Sequence, residues 1–374
     1  MRTSGRPGPG PADPRPARCD QLAASLGERD LDGLVVSHLP NVRYLTGFTG
    51  TAGLFAFLRD GEPVFLSDFR YATQAEAEVG GVARIEIVAD DPWKRLLSVL
   101  AEYPTARTLA YEAHTLTVKK AELLAANGTR LTFKPEQRLV ERLRACKDPE
   151  EVRAIHSAAT LAMEAFEAVL PTVRVGQREI EIAARLEFEL RKRGSEWHPF
   201  PTIAASGPRS ALPHATSSQR ELQAGDWLLL DFGAQVDGYC ADITRTVVVG
   251  RRADERQRAI YELVREAQRS ARTAIRAGMT GREADALARS MIGAKGFGDA
   301  FGHSLGHGLG LEVHEEPRVS ATSDEVLPVG AVVTVEPGVY LPGWGGVRLE
   351  DDVHLTSDGA VLLSDGETEL REVI

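Results

Sequence analysis

The distribution of apolar and polar positions divides the chain into two stretches. Up to about residue 132, short runs rich in Val, Leu, Phe and Tyr alternate with segments of helical spacing. Strands are expected at 33–37, 53–58, 63–67, 84–88 and 108–111, with helices at 22–28, 93–102 and 118–126. This is the pattern of an α/β domain over 18–132. A disordered tail rich in Pro, Arg and Gly is expected before it at 1–17, and a linker after it at 133–147. A second domain covers 148–374. Its first helix opens on Asp148-Pro149-Glu150-Glu151, an N-cap followed by proline at the first helical position and acids in the first turn.

Within the second domain the pattern repeats. Arg174 and Gly176, then Arg178-Glu179 and a helical stretch ending at Gly194, match Arg276 and Gly278, then Arg282-Glu283 and a helical stretch ending at Gly296, with Gly176 and Gly278 offset by 102 residues. Each half leads to a strand, turn, strand unit. In the first, apolar β-type runs flank Asp237-Gly238, the residue pair of a type I′ hairpin, which would bring Asp231 and Asp242 together from facing strands. The second unit covers 331–340 and 346–355 and carries Glu336 and Glu350, displaced by 105 and 108 residues from Asp231 and Asp242. The expected fold class is α/β (α+β). Two halves, each running helix, helix, carboxylate-bearing hairpin, form a pseudo-twofold sheet with the helices outside and the carboxylates at the centre.

Carboxylates in apolar surroundings are costly unless something cationic sits among them. Four carboxylates and the imidazole of His307, from the Gly-rich segment 303–310, suit two divalent cations. The negative charges nearly balance four positive ones, hard oxygen ligands favour Mn²⁺, and the imidazole admits Co²⁺ or Zn²⁺. Cys19, Cys146 and Cys240 have no metal spacing and fit free thiols in a reducing cytoplasm. A formal net charge of -10 argues against a nucleic-acid partner. No apolar run approaches the length that spans a membrane, and the N-terminal tail lacks the apolar core of a signal peptide. His198, His214 and His314 lie in loops, where a histidine alone is usually structural but where catalytic groups also concentrate.

Asp231, Asp242, His307, Glu336 and Glu350, in that order, with Gly306-His-Gly-Leu-Gly310, Val335-Glu-Pro-Gly-Val-Tyr340 and Val347-Arg-Leu-Glu350, resemble the dinuclear pita-bread metallopeptidases. Within them the chain is most similar to the Xaa-Pro peptidases, aminopeptidase P and prolidase. Tyr44-Leu-Thr-Gly-Phe48 and Asp68-Phe-Arg-Tyr71 resemble the N-terminal domain these enzymes share with creatinase, so the likeness covers nearly the whole chain. It implies a pita-bread catalytic domain preceded by a smaller creatinase-type α/β domain, proline-containing peptides as substrates, and a homodimer. It further implies that Asp231 chelates one metal, that Asp242 and Glu350 bridge both, and that His307 and Glu336 complete the shells. A water acidified by both ions would attack the carbonyl of the Xaa-Pro bond, with Glu336 as proton shuttle. His314 would hydrogen-bond the tetrahedral intermediate, while His303, His214 and Arg348 would position the substrate around its proline. A clamp on the ligand carboxylates is the other role open to Arg348.

Prolidase and aminopeptidase P differ in whether the far side of the proline must present a free carboxylate. Arg43, expected in a loop over 41–50, is the candidate cation for that carboxylate, and a solvated arginine accounts for it equally well. Xaa-Pro dipeptides are the first reading, and longer peptides, as for a strict aminopeptidase P, the second. Methionine aminopeptidases usually lack such an N-terminal domain, and creatinase-like enzymes have lost metal ligands. A lyase, or a binding protein on the same fold, is the alternative from another class.

Overall fold

The structure, a computed structural model, describes residues 13–126, 130–366 and 368–374. The chain forms two compact units, one ending at Leu143 and the other beginning at Arg144. In the first, α1 (Arg15–Gly27), β1 (Gly33–Val36), α2 (Leu39–Thr46), β2 (Leu54–Leu58), β3 (Val64–Asp68), α3 (Ala72–Val79), β4 (Arg84–Val88), α4 (Pro92–Leu100), β5 (Thr108–Glu112), α5 (Val118–Ala125) and β6 (Thr132–Glu136) follow in order. The strands form one mixed sheet, β4-β3-β2-β1-β5-β6. β1 and β2 are buried along their whole length, as expected of near-continuous apolar runs.

Three expectations are corrected here. Residues 15–17 are not tail: α1 starts at Arg15, whose guanidinium donates to the carbonyls of Thr46 and Glu78 at 2.9 and 2.6 Å. The rest of that expectation, 1–12, lies outside the described residues. The segment 133–147 is not an unstructured linker, because it holds most of β6 and the helix α6 (Leu139–Arg144). Arg43 stands on α2, not in a loop. Pro40 lies in the first turn, where a missing N–H costs nothing, and Gly47 ends the helix at φ 83°, a left-handed conformation that glycine adopts without strain.

In the second unit, α7 (Pro149–Val169) and α8 (Glu179–Lys192) precede β7 (Ile203–Ser206), β8 (Trp227–Phe232), β9 (Gln235–Val236), β10 (Tyr239–Cys240) and β11 (Ile243–Val249). Then α9 (Glu255–Ala274) and α10 (Gly281–Ala294) precede β12 (Gly306–Gly308), β13 (Glu315–Val319), β14 (Val332–Val335), β15 (Gly338–Leu341), β16 (Gly345–Arg348), β17 (Asp351–Thr356) and β18 (Gly359–Leu362). The last strand, β19 (Arg371–Val373), returns to pair with β11. Asp148 caps α7 as expected, accepting from the amides of Glu150 and Glu151 while Glu151 accepts from its own.

The internal repeat extends to individual hydrogen bonds. Gly176 N donates to Leu222 O at 2.8 Å and Gly278 N to Leu327 O at 2.9 Å, with φ of 89° and 90° at the two glycines. The half-sheets β19-β11-β8-β7 and β13-β12-β14-β17-β18 are each covered by their helices. Ala158, Ala162 and Phe166 of α7 pack on Leu228, Leu230 and Phe232 of β8, and Ala267, Ala271, Ala284 and Ala288 cover Val333, Val335 and Val353. Small residues on the inner helix faces let the helices approach the sheet closely, so the apolar layer lies between helix and strand.

A buried ion cluster pins β13. The Glu315 carboxylate accepts from Arg144 at 2.5 Å, from Lys147 at 3.2 Å and from the amide of Glu312 at 2.9 Å. Burial pushes this carboxyl up, but Lys147 and Arg144 outweigh it and hold the group below its ordinary value of 4.5. A depressed carboxyl contributes stability that is present above the unfolded value and is lost as pH falls through the folded one. Glu315→Gln is therefore expected to cost about 3–5 kcal/mol at neutral pH, because it removes the one buried carboxylate that Arg144 and Lys147 share, leaving Arg144 only the half-exposed Glu312 in this cluster. In urea melts the gap between the two proteins should shrink below about pH 4.5; a gap independent of pH would rule the account out.

Candidate metal centre

The two half-sheets meet along β11. Glu350 N donates to Thr244 O at 3.1 Å, Thr246 Oγ1 to Arg348 O at 2.9 Å, and Arg245 Nη1 to Glu350 O at 2.6 Å. Neither carboxylate unit is the continuous hairpin expected. β8 pairs with β11 while β9 and β10 form a separate two-stranded ribbon, closed as expected by Asp237 and Gly238 at φ 49° and 75°. β14 and β17 pair likewise, with β15 and β16 as the separate ribbon. Asp231 consequently faces Thr244 across the ladder, not Asp242. Asp242, Glu336 and Glu350 lie in the breaks between ladder and ribbon, where the backbone leaves the sheet. Gly233 permits one break: a Cβ there would sit 2.1 Å from Ala241 O.

His307 enters from β12 between two glycines. A Cβ on Gly306 or Gly308 would come within 2.0 Å of Thr334 O or 2.1 Å of Glu316 O, so only Gly-His-Gly fits between β13 and β14. His307 Nδ1 lies 3.0 Å from Gly308 O, an acceptor, which places the ring hydrogen on Nδ1. Burial, with His314 beside it, lowers the imidazole to about 4, so the ring is neutral and the short contacts of its Nε2 are not ion pairs. That Nε2 lone pair faces Asp242 Oδ2 at 3.7 Å and Glu336 Oε1 at 3.4 Å.

Donor atoms of Asp242, His307 and Glu350 lie within 4.8 Å of one another. Burial, then the charge of Glu350, raises the carboxyls of Asp242 and Glu336 far above their ordinary range. Burial, then Asp231, pushes Glu350 up to about 8. Asp231 Oδ1 is buried with no hydrogen-bond partner. Lone pairs converging from several acceptors, with one buried oxygen unsatisfied, fit divalent cations; without them, protons must take the same place.

Around this cluster a hydrogen-bonded frame sets directions. Arg348 donates to Asp231 Oδ2 at 2.5 Å, to Thr244 Oγ1 at 3.0 Å, to Tyr340 Oη at 2.8 Å and to Pro213 O at 3.2 Å. Thr244 Oγ1 in turn donates to Glu350 Oε2 at 2.6 Å, and Thr334 Oγ1 to Glu336 Oε1 at 3.2 Å. His303 Nδ1 lies 2.8 Å from Ser304 O, so its Nε2 accepts from Tyr340 Oη, also at 2.8 Å. Burial and then Arg348 lower His303 to about 4 and keep it neutral. The His314 ring stands 4.4 Å from that of His307, and burial lowers it too. Exposed His214 follows Pro213, whose carbonyl Arg348 holds. Asp351, next to Glu350, is tied down by Arg245, Arg272, Gln268 and Ser364.

Comparison with known proteins agrees with this geometry. Residues 153–357 match the family described as Metallopeptidase family M24. The chain belongs to metallopeptidase family M24. Residues 18–146 match the Creatinase/Prolidase N-terminal domain, so the M24 domain follows a creatinase-type domain, as the sequence motifs implied. The chain is 38% identical to the Xaa-Pro dipeptidase of Pyrococcus furiosus over 94% of this chain and 99% of that one. It is similar to the solved Xaa-Pro dipeptidase from Bacillus anthracis, with a TM-score of 0.92, 40% identity, and coverage of 96% and 99%. It is also similar to the X-Pro aminopeptidase from Thermotoga maritima, with a TM-score of 0.86, 34% identity, and coverage of 94% and 100%.

In this M24 metallopeptidase, Asp231, Asp242, His307, Glu336 and Glu350 form one cluster, with His303, His314 and Arg348 tied to it. Arg43 belongs to the other unit. Sequence reasoning passed over Thr244, Thr334 and Asp352, whose Oδ2 accepts from the Asp242 amide at 3.2 Å. Their only signal was position: Thr244 faces Asp231, and Asp352 continues the acidic run 350–352.

Proposed function

We propose that this M24 metallopeptidase is a dinuclear Xaa-Pro exopeptidase that removes the residue before proline, with dipeptides its preferred substrates. The observation that carries the reading is the neutral His307 ring, whose Nε2 lone pair faces the carboxylates of buried Asp242 and half-buried Glu336 across 3.4–3.7 Å. Two divalent ions would be held by Asp231, Asp242, His307, Glu336 and Glu350, with Asp242 and Glu350 shared. Oxygen-rich ligation favours Mn²⁺ over Co²⁺ or Zn²⁺. When bound, such ions polarise a carbonyl and acidify water.

The chain's own groups then have distinct tasks. Glu336, beside His307 and held by Thr334, takes the proton released on attack and returns it to the leaving imide nitrogen. His314 donates to the developing oxyanion, and its neutral form keeps the donor free of a competing charge. His303 and His214 border the proline. An imide nitrogen has no N–H, so a site built on imidazoles and carboxylates loses nothing that a peptidase reliant on that donor would lose. Arg348 orients Asp231 directly and Glu350 through Thr244. The dipeptide preference is supported by the two relatives named dipeptidases, and the Thermotoga maritima aminopeptidase supports longer peptides as the second reading. The three free cysteines accord with a cytoplasmic protein, and the family likeness with a homodimer. Among the described residues no helix is long and apolar enough to cross a membrane.

Turnover of Xaa-Pro and Xaa-Pro-Xaa peptides with Mn²⁺, Co²⁺ and Zn²⁺ tests the assignment. The dipeptide should be cleaved faster, and Arg43→Ala should raise its KM while leaving the tripeptide unchanged. An unaltered preference removes Arg43 from the account. A folded chain that binds metal but cleaves neither class would instead favour a lyase or binding protein.

A further inference from the structure

We propose that the N-terminal unit carries a divalent-cation site of its own, formed by His38, His114 and Glu141 and suited to Zn²⁺. Each residue offers one donor atom, and the three lie within 4.8 Å of one another. His114 Nε2 stands 3.0 Å from Glu141 Oε1, and the His38 and His114 rings meet edge-on with centroids 5.6 Å apart. Two imidazoles and a carboxylate are a zinc ligand set; bonds of about 2.0–2.2 Å in a tetrahedron put neighbouring ligand atoms about 3.3–3.6 Å apart. Closing the cluster onto an ion therefore takes movements of about 1 Å, within reach of side-chain torsions alone. The fourth position is left for water.

The surroundings hold these ligands in place. The buried Glu112 carboxylate accepts from the amides of Ser37 and His38 and from Asn41 Nδ2, each at 2.7 Å, which fixes the segment that starts α2 and carries His38. The same Asn41 nitrogen donates to Glu141 Oε1 at 2.5 Å and orients that carboxylate. Such outer hydrogen bonds are what metal-ligating groups need to keep their direction. An uncharged amide thus bridges two carboxylates that a nearby cation would stabilise. His114 is one-third exposed, at 34%, which leaves the ion a path from solvent. A bound ion would join the start of α2, the loop after β5, and α6, three segments far apart in sequence.

The site is independent of the M24 cluster, and the test keeps the two apart. In the full chain carrying Asp242→Asn and Glu350→Gln, adding His114→Ala or Glu141→Ala should each remove one equivalent of bound Zn²⁺, counted by atomic emission after dialysis. In the unmutated chain, Zn²⁺ should protect His114 from diethyl pyrocarbonate, read by peptide mass. This second measurement decides the matter even where a variant does not fold. Unchanged metal counts, or His114 labelled equally with and without Zn²⁺, would mean that His114 and Glu141 form only a hydrogen-bonded pair and would overturn the proposal.

Discussion

Glu350→Gln is expected to abolish Xaa-Pro hydrolysis and, at the same time, to stabilise the metal-free chain at alkaline pH. The catalytic loss should be at least on the order of 10²–10³, the scale for removing one preorganised charged or polar group from a water-poor site. The stability effect follows from the crowding of acceptors. Burial and Asp231 raise Glu350 to about 8 from an ordinary value of 4.5. A carboxyl raised on folding contributes stability that is fully present below pH 4.5 and lost as pH climbs through 8. After chelation, the unsubstituted chain should therefore melt at progressively lower temperature across that interval. The amide of the glutamine variant has no proton to lose, and its decline should be shallower. Added Mn²⁺ reverses the order, because ligand that binds the native state alone stabilises it by mass action, and only the unsubstituted site holds the ion well. Thermal melts of both proteins at mildly acid and alkaline pH, with and without metal, check each arm. A variant less stable than its parent under all four conditions would show that Glu350 is not held in a repulsive cluster.

The second large effect is expected at Arg348. Its guanidinium reaches Asp231, Thr244, Tyr340 and Pro213 at once. A lysine is a single flexible point charge and cannot reproduce that fork. Arg348→Lys should lower kcat/KM about 10–100-fold, the usual scale for a partner of a metal ligand. Arg348→Ala should add a stability loss of about 3–5 kcal/mol, because half-buried Asp231 is left with both oxygens unpaired. The two roles open to Arg348 separate cleanly. A clamp on the carboxylates predicts weaker metal binding with KM nearly unchanged, whereas a substrate contact predicts a raised KM with metal affinity intact. Its four bonds to the protein's own groups favour the clamp.

Some of this was legible before any coordinates. Five of the six strands of the N-terminal unit, all but β6, fall within a residue or two of their expected positions, since alternation and Gly or Pro boundaries are local properties. Asp148 as a cap, the turn at Asp237-Gly238 and the repeat marked by Gly176 and Gly278 were equally readable. The short helices α2 and α3 were not. One opens on a proline and ends in a glycine, both of which also read as loop, and packing rather than propensity keeps so short a helix in place.

By itself, the sequence determined the inventory and the symmetry: five metal-type ligands in order, two carboxylate-bearing units, and a duplicated scaffold. These depend on residue type and spacing, which a linear chain displays. The tertiary structure decided which strand faces which and broke each hairpin, so that Asp231 lies opposite Thr244 and three of the five candidate ligands fall in the breaks. It also decided which groups lose water. The charge and the unsatisfied lone pairs of Asp231 and Glu350 arise from chain that arrives from about 100 residues away, and nothing in their immediate neighbours encodes that arrival.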